Sequence, residues 1–240
     1  MVHDRRGQIG FALKKVWRAA LVIFVLRCLA AALIGTIPPV LLNSLSTAME
    51  VLVFLFVAIF FHRLYLLGNE EYRYDKGIYI RFLTMLVILN FAFYALSIVQ
   101  TSFAQSSGQI PGSIIFVGFV VLVITIVLWW RFLVIFPATA IGQKRSLGWA
   151  WALTKNYGWA IFGGWFLFFL LYLPFGLLAT GGYFALDLPL QPALDLDWRL
   201  ALILFYSAFL NVLMTGAAAV YASSVYRQLM IAKGHDIPAS

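Results

Sequence analysis

Residues 82–130 read FLTMLVILNFAFYALSIVQTSFAQSSGQIPGSIIFVGFVVLVITIVLWW, a stretch without a single Asp, Glu, Lys, Arg or His. Two shorter stretches of the same kind follow at residues 156–186 and 200–226. About a quarter of the residues of a soluble domain are charged, whereas 11% of this chain is charged and 63% is hydrophobic. Because the charges are confined to short clusters between long apolar blocks, the pattern predicts a multi-pass membrane protein.

The apolar blocks are continuous rather than alternating, which predicts helices, since membrane-spanning strands alternate between apolar and polar residues. A spanning helix takes about 20 apolar residues. We therefore expect an all-α fold in which residues 1–240 form a single membrane domain with six transmembrane helices. The predicted spans are residues 19–41, 48–67, 79–100, 113–136, 158–180 and 200–222.

The basic residues concentrate on one side of these spans. Of the 17 Lys and Arg residues, all but Arg27, within the first span, and Arg199 fall at the termini, in the connections two–three and four–five, or at the span ends that adjoin these connections. Lys and Arg accumulate on the cytoplasmic side of membrane proteins, so both termini are predicted to be cytoplasmic. The net charge of +8 then indicates a membrane surface rather than nucleic acid as partner. The opposite side carries four acidic residues: Glu50, at the edge of span two, and Asp187, Asp195 and Asp197 in the connection five–six.

Two cytoplasmic segments, residues 8–18 and 144–156, place apolar side chains on one helical face and cations on the other or at the ends. This pattern predicts amphipathic helices that lie in the headgroup region. The alternative is an elongated helix end with cations that extend to the interface. Both segments begin near a Gly-Gln pair, Gly7-Gln8 and Gly142-Gln143, which is compatible with a parallel internal repeat.

Reactive groups are few. The single cysteine, Cys28, cannot form an internal disulfide, and the three histidines do not pair at the spacing of a metal or haem site. The predicted spans contain no carboxylate except Glu50, at the outer edge of span two. Since proton pumps and intramembrane metalloenzymes depend on such groups, we expect neither catalysis, nor a metal site, nor a cofactor.

Polar side chains within the spans are candidates for binding. Arg27 either extends to the cytoplasmic interface or meets a partner; the functional alternative is a lipid phosphate held together with Arg131. Asn90 and Asn211, near the middle of spans three and six, indicate an interhelical hydrogen bond or a polar substrate site. At the cytoplasmic face, the candidates for binding lipid or a partner protein are Lys144, Arg145 and Lys155.

Residues 131–142, RFLVIFPATAIG, and 146–159, SLGWAWALTKNYGW, carry a resemblance to a known group. They resemble bacterial six-helix membrane proteins that include YciC-like proteins and the membrane domain attached to some glycerophosphodiester phosphodiesterases. The opening residues 9–17, IGFALKKVW, are similar to the N-terminal helix of that group. The resemblance implies a multi-pass protein of the bacterial inner membrane. It implies no catalysis, because the phosphodiesterase chemistry belongs to a separate soluble domain.

Together these features predict a non-catalytic accessory or scaffold protein. Its basic cytoplasmic face would engage anionic lipid headgroups or another membrane protein. One alternative is a small transporter or channel with a polar site near spans three and six. The other is a membrane enzyme of lipid metabolism, for which the chain offers no motif.

Overall fold

A computed structural model of the chain describes residues 5–33, 39–68, 75–89, 91, 111–185 and 198–234. The regular structure within these ranges is entirely helical. Its eight helices are α1 (Arg5–Ala32), α2 (Pro39–Leu67), α3 (residues 76–89), α4 (Gly112–Phe132), α5 (Ile135–Ala140), α6 (Leu147–Thr154), α7 (Gly158–Ala185) and α8 (Trp198–Ala232).

Among the described residues, four segments are long and apolar enough to cross a membrane: Leu45–Leu67 in α2, Gly112–Phe132 in α4, Gly158–Leu178 in α7 and Trp198–Ala232 in α8. Only 11% of the residues in the most apolar part of α4 and 6% in that of α7 are buried inside the protein. Soluble monomers rarely expose apolar surface on this scale. The all-α prediction is confirmed, and the chain is a helical membrane protein.

The predicted spans one and three include residues outside the description, 34–38 for the first, and 90 and 92–100 for the third. Their status as membrane spans is therefore not tested, and α1 is not among the four apolar segments. The same holds for the location of the two termini. Six spans with cytoplasmic ends stay a prediction.

Two of the predicted spans contain helix ends that lie near a proline. Predicted span one, 19–41, includes the end of α1 at Ala32 and the first described residues of α2, which starts at Pro39. Span four was placed at 113–136, but α4 ends at Phe132 and α5 begins at Ile135. Pro137 has no N–H for the carbonyl of Leu133, and its ring crowds that carbonyl, so the helix breaks there.

The two predicted interfacial helices have different outcomes. Residues 8–18 are part of α1, which continues through them without a break; their position in the headgroup region stays a prediction. Within residues 144–156, α6 is a separate short helix, capped by the Ser146 hydroxyl, which accepts a hydrogen bond from the backbone N–H of Trp149 at 3.2 Å.

The two Gly-Gln pairs differ in local structure, which gives no support to the repeat. Gly7-Gln8 lies inside α1. Gly142 instead ends α5 in the left-handed region, with φ +85°. The Gly142 and Gln143 N–H groups donate to the carbonyls of Thr139 and Ala138 at 3.0 and 2.9 Å, the pattern of a Schellman motif.

The chain divides into two compact units. The first comprises Met1–Tyr72 and Gly164–Tyr221 with Ser240, and the second Arg73–Gly163 and Ala222–Ala239. In the first unit, α1, α2 and α8 share an apolar core. Its buried residues are Val16, Ala20, Ile23, Val57, Ala208 and Val212.

The second unit is built around α5, whose six residues Ile135–Ala140 are all buried. Phe136 packs against Phe82 of α3 at 4.9 Å between ring centroids. It also stacks on Trp129 of α4 at 5.3 Å, with 23° between the ring planes. This short helix is therefore the centre against which α3 and α4 pack.

Candidate functional site

The first polar cluster joins three helices of the first unit through Arg27. Its Nε and Nη2 donate to the two carboxylate oxygens of Glu50 in α2, at 2.8 and 3.0 Å. Its Nη1 donates to the Ser207 hydroxyl in α8 at 2.7 Å, and that hydroxyl donates to the carbonyl of Leu204 at 3.0 Å. The Arg27 and Glu50 side chains are each 18% exposed.

This arrangement decides between the two interpretations of Arg27 offered by the sequence. The side chain meets a partner, in the paired geometry that suits a guanidinium and a carboxylate. Glu50 lies within the apolar segment Leu45–Leu67, so the ion pair leaves no net charge among the surrounding apolar side chains. Sequence reasoning assigned Glu50 to the outer edge of span two and missed the pairing. The sequence feature that could have indicated this pairing is the presence of one arginine in predicted span one and one glutamate in predicted span two.

The second cluster lies in the second unit, where Arg131 connects the end of α4 to the end of α6. Its Nη1 donates to the carbonyls of Thr154 and Lys155 at 2.7 and 3.0 Å. The Thr154 hydroxyl shares its single hydrogen between the carbonyl of Arg131, at 3.1 Å, and two carbonyls of α6, Ala150 at 2.9 Å and Trp151 at 3.3 Å. The guanidinium therefore caps the C-terminus of α6, where a cation also interacts favourably with the helix dipole.

The surroundings of Arg131 fit this capping role. The guanidinium carbon lies 5.0 Å from the ring centroid of Trp151, within the range of a cation–π interaction. On its other side is Gly158, where an added Cβ would lie 2.9 Å from that carbon. Glycine at the start of α7 thus provides the space that the guanidinium occupies.

Gln143 anchors the loop between α5 and α6. Its side-chain oxygen accepts hydrogen bonds from the Tyr226 hydroxyl and from Arg145 Nε, both at 3.1 Å. Tyr226, in the last part of α8, is completely buried, and its ring lies 6.4 Å from that of Trp149. Arg145 in turn lies over Trp149, at 5.0 Å from the ring centroid. One amide oxygen therefore fixes the loop to α8 and orients a surface cation.

Three cations of this region are exposed: Lys144, Arg145 and Lys155. We refer to them as the basic surface. Exposed aromatic residues accompany them, with Trp159 83% exposed, and Trp151 and Tyr157 also accessible. Side chains that combine an apolar body with a polar tip are typical of membrane–water interfaces. The basic surface ends immediately before Gly158, where an apolar segment long enough to cross a membrane begins.

Each candidate residue within the spans has its own surroundings. Arg27 and Arg131 belong to different units, and each has protein partners of its own. Asn211 is partly buried in α8, where its backbone oxygen accepts from the Thr215 hydroxyl at 2.8 Å. Asn90 lies outside the described residues, so the pairing of the two asparagines is not tested.

His62, in the last part of predicted span two, is a buried polar residue. It is 2% exposed and hydrogen-bonds to the backbone of Ala219 in α8, while α2 continues to Leu67. A histidine beside Arg63 at the end of an apolar run gives no local indication of such a contact. His62 therefore joins α2 to α8.

Within the described ranges, no group of three or more His, Cys, Asp and Glu residues is placed to hold a metal ion. Comparison of the chain with protein-family models, with curated proteins and with solved structures gave no match. The functional proposal is therefore based on the geometry of the two polar clusters and of the basic surface. This geometry consists of a helix-joining ion pair, a capped and oriented α6, and exposed cations beside exposed aromatic rings.

Proposed function

We propose that this protein is a non-catalytic accessory or scaffold protein of the bacterial inner membrane, which engages anionic lipid headgroups through its basic surface. In this proposal the chain has six spans and both termini are cytoplasmic, as the distribution of Lys and Arg predicts. The observation that carries the proposal is the exposure of Lys144, Arg145 and Lys155 directly before the apolar segment of α7. The resemblance to the bacterial six-helix group falls on the same part of the chain, residues 131–159.

The structure of this region suits a headgroup contact. The bonds of Arg131 to the end of α6 and the bonds of Gln143 to Tyr226 and Arg145 hold the loop and the helix in place. Binding then requires little further ordering of the backbone, which would otherwise oppose it. Each cation near an anionic leaflet contributes about 1 kcal/mol, so three of them contribute about 3 kcal/mol, a preference of about 100-fold.

The test compares lipid retention in two variants of equal charge. The full chain is purified in mild detergent with an equimolar mixture of phosphatidylglycerol and phosphatidylcholine, and the bound lipids are counted by native mass spectrometry. The variant Lys144→Gln/Arg145→Gln/Lys155→Gln removes the basic surface. The control Lys14→Gln/Arg18→Gln/Lys233→Gln removes three exposed cations outside it.

We expect the parent and the control to retain phosphatidylglycerol preferentially, and the surface variant to lose most of that preference. Salt should weaken retention in the parent, because the attraction is electrostatic. Equal losses in the two variants would show that total charge, rather than this surface, attracts the lipid. A parent without preference for the anionic lipid, with a bound protein instead, would assign the surface to a membrane partner.

A further inference from the structure

The second half of α1 is apolar and contains one arginine. This half buries Ala20 and Ile23 in the core shared with α2 and α8. It also exposes large apolar side chains, as a helix in lipid does: Leu21, Val22, Val25 and Leu29. Arg27 lies within this apolar half.

An unpaired arginine within a span strongly opposes its insertion into the bilayer. In this fold the opposing charge comes from α2. Both carboxylate oxygens of Glu50 accept hydrogen bonds from Arg27, and the two side chains are only slightly exposed. A bidentate pair of this kind presents no net charge to the surrounding apolar groups.

The order of the helices along the chain makes this pairing available early. Only residues 33–38 separate the end of α1 from the start of α2, so the two helices form a hairpin. The segment Leu45–Leu67 of α2 is apolar enough to cross a membrane by itself, even with Glu50 in it. Ser207 of α8 enters the chain much later, and its hydroxyl adds a third bond to Arg27.

We infer that α1 is a conditional membrane span, which crosses the bilayer only as a hairpin with α2 and with Glu50 as the counter-ion of Arg27. The dependence is one-sided: α2 inserts with or without α1, whereas α1 requires α2. The ion pair is thus a device for membrane insertion, and it acts before α8 is available to contribute Ser207.

The test measures on which side of the membrane the predicted connection between α1 and α2 lies. The full chain carries Cys28→Ala and a reporter cysteine, Thr36→Cys. A membrane-impermeant maleimide labels it in spheroplasts and, separately, in inverted vesicles. With the N-terminus cytoplasmic, as proposed above, the ratio of the signal in spheroplasts to the signal in inverted vesicles reports the fraction of chains in which α1 crosses.

In this background, Glu50→Gln should lower the labelling ratio by about tenfold, because it leaves the Arg27 charge uncompensated in a span. The double variant Arg27→Leu/Glu50→Leu should label like the parent, since it removes both charges. The control Met49→Gln introduces the same amide one residue away, at an exposed position of α2, and should also label like the parent.

Two results would overturn the inference. In the first, Glu50→Gln labels like the parent, which would mean that α1 crosses without its counter-ion. In the second, the double variant labels no better than Glu50→Gln, which would mean that the carboxylate is needed for a reason unrelated to Arg27. Parent-like labelling of the double variant would show that a chain without the Glu50 carboxylate still inserts α1. The low ratio of Glu50→Gln is then caused by the uncompensated charge of Arg27 and not by general misfolding.

Discussion

Replacing Arg131 with alanine should favour local opening of α6 more than replacing Arg145 with alanine does. Both guanidinium groups lie 5.0 Å from a tryptophan ring centroid, so both variants lose a comparable cation–π interaction. Arg131 alone donates to two backbone carbonyls at the end of α6, whereas Arg145 donates to the side chain of Gln143. The difference between the variants therefore isolates the capping bonds.

The magnitude follows from these contacts. A hydrogen bond to a charged group contributes about 1.5–3 kcal/mol, and partial exposure of the Arg131 bonds places the pair near the lower end. An exposed cation–π interaction adds about 0.5–1 kcal/mol. Arg131→Ala should then cost about 2–3 kcal/mol and Arg145→Ala about 1 kcal/mol. The difference of about 1.4 kcal/mol corresponds to roughly a tenfold change in an equilibrium constant.

Hydrogen exchange followed by mass spectrometry measures this difference directly, because the amides of α6 exchange through local opening of that helix. In the full chain in detergent, α6 amides of Arg131→Ala should exchange about tenfold faster than those of Arg145→Ala. Amides of α1 and α2 serve as the internal reference. Equal exchange of α6 in the two variants would refute the capping role of Arg131.

Two further changes test the packing and the caps. Gly164→Ala should destabilise the protein by about 1–3 kcal/mol, because the added Cβ would lie 2.6 Å from the Tyr221 hydroxyl oxygen. The control Gly163→Ala should be neutral, since nothing lies within 4 Å of its added Cβ. Thermal unfolding in detergent compares the two variants, and equal melting temperatures would contradict the close approach of Gly164 and Tyr221. Ser146→Ala removes the side-chain acceptor of the Trp149 N–H and should destabilise α6 by about 1 kcal/mol, while Ser146→Asp should preserve its exchange protection.

The sequence was sufficient to predict the helical membrane fold, because a bilayer requires long apolar segments whatever they pack against. The break at Pro137 also had a local cause that residue type alone could have indicated. No nearby feature of the sequence identifies the partner of Arg27. Glu50 is 23 residues away in the chain, and the register of two adjacent helices depends on their packing rather than on any residue between them.

The same distinction applies to the candidate site. Lys144, Arg145 and Lys155 were identified from the sequence, and they are exposed, as charged side chains without a buried partner usually are. Arg131 was also identified, but its bonds to the end of α6 depend on where a helix 23 residues further along the chain ends. A residue type indicates what a side chain is able to bind, and the packing of helices determines which partner comes within reach.

The complete burial of α5 has a consequence for how mutations are tolerated along this chain. On α4 and α7 most side chains point outward, and lipid accepts an isoleucine, a leucine or a phenylalanine equally well. Protein neighbours surround α5 on every side, so each of its six residues has a fixed volume to fill. In a library of apolar substitutions, residues 135–140 should form a narrow intolerant segment in a chain that otherwise accepts most exchanges between apolar residues.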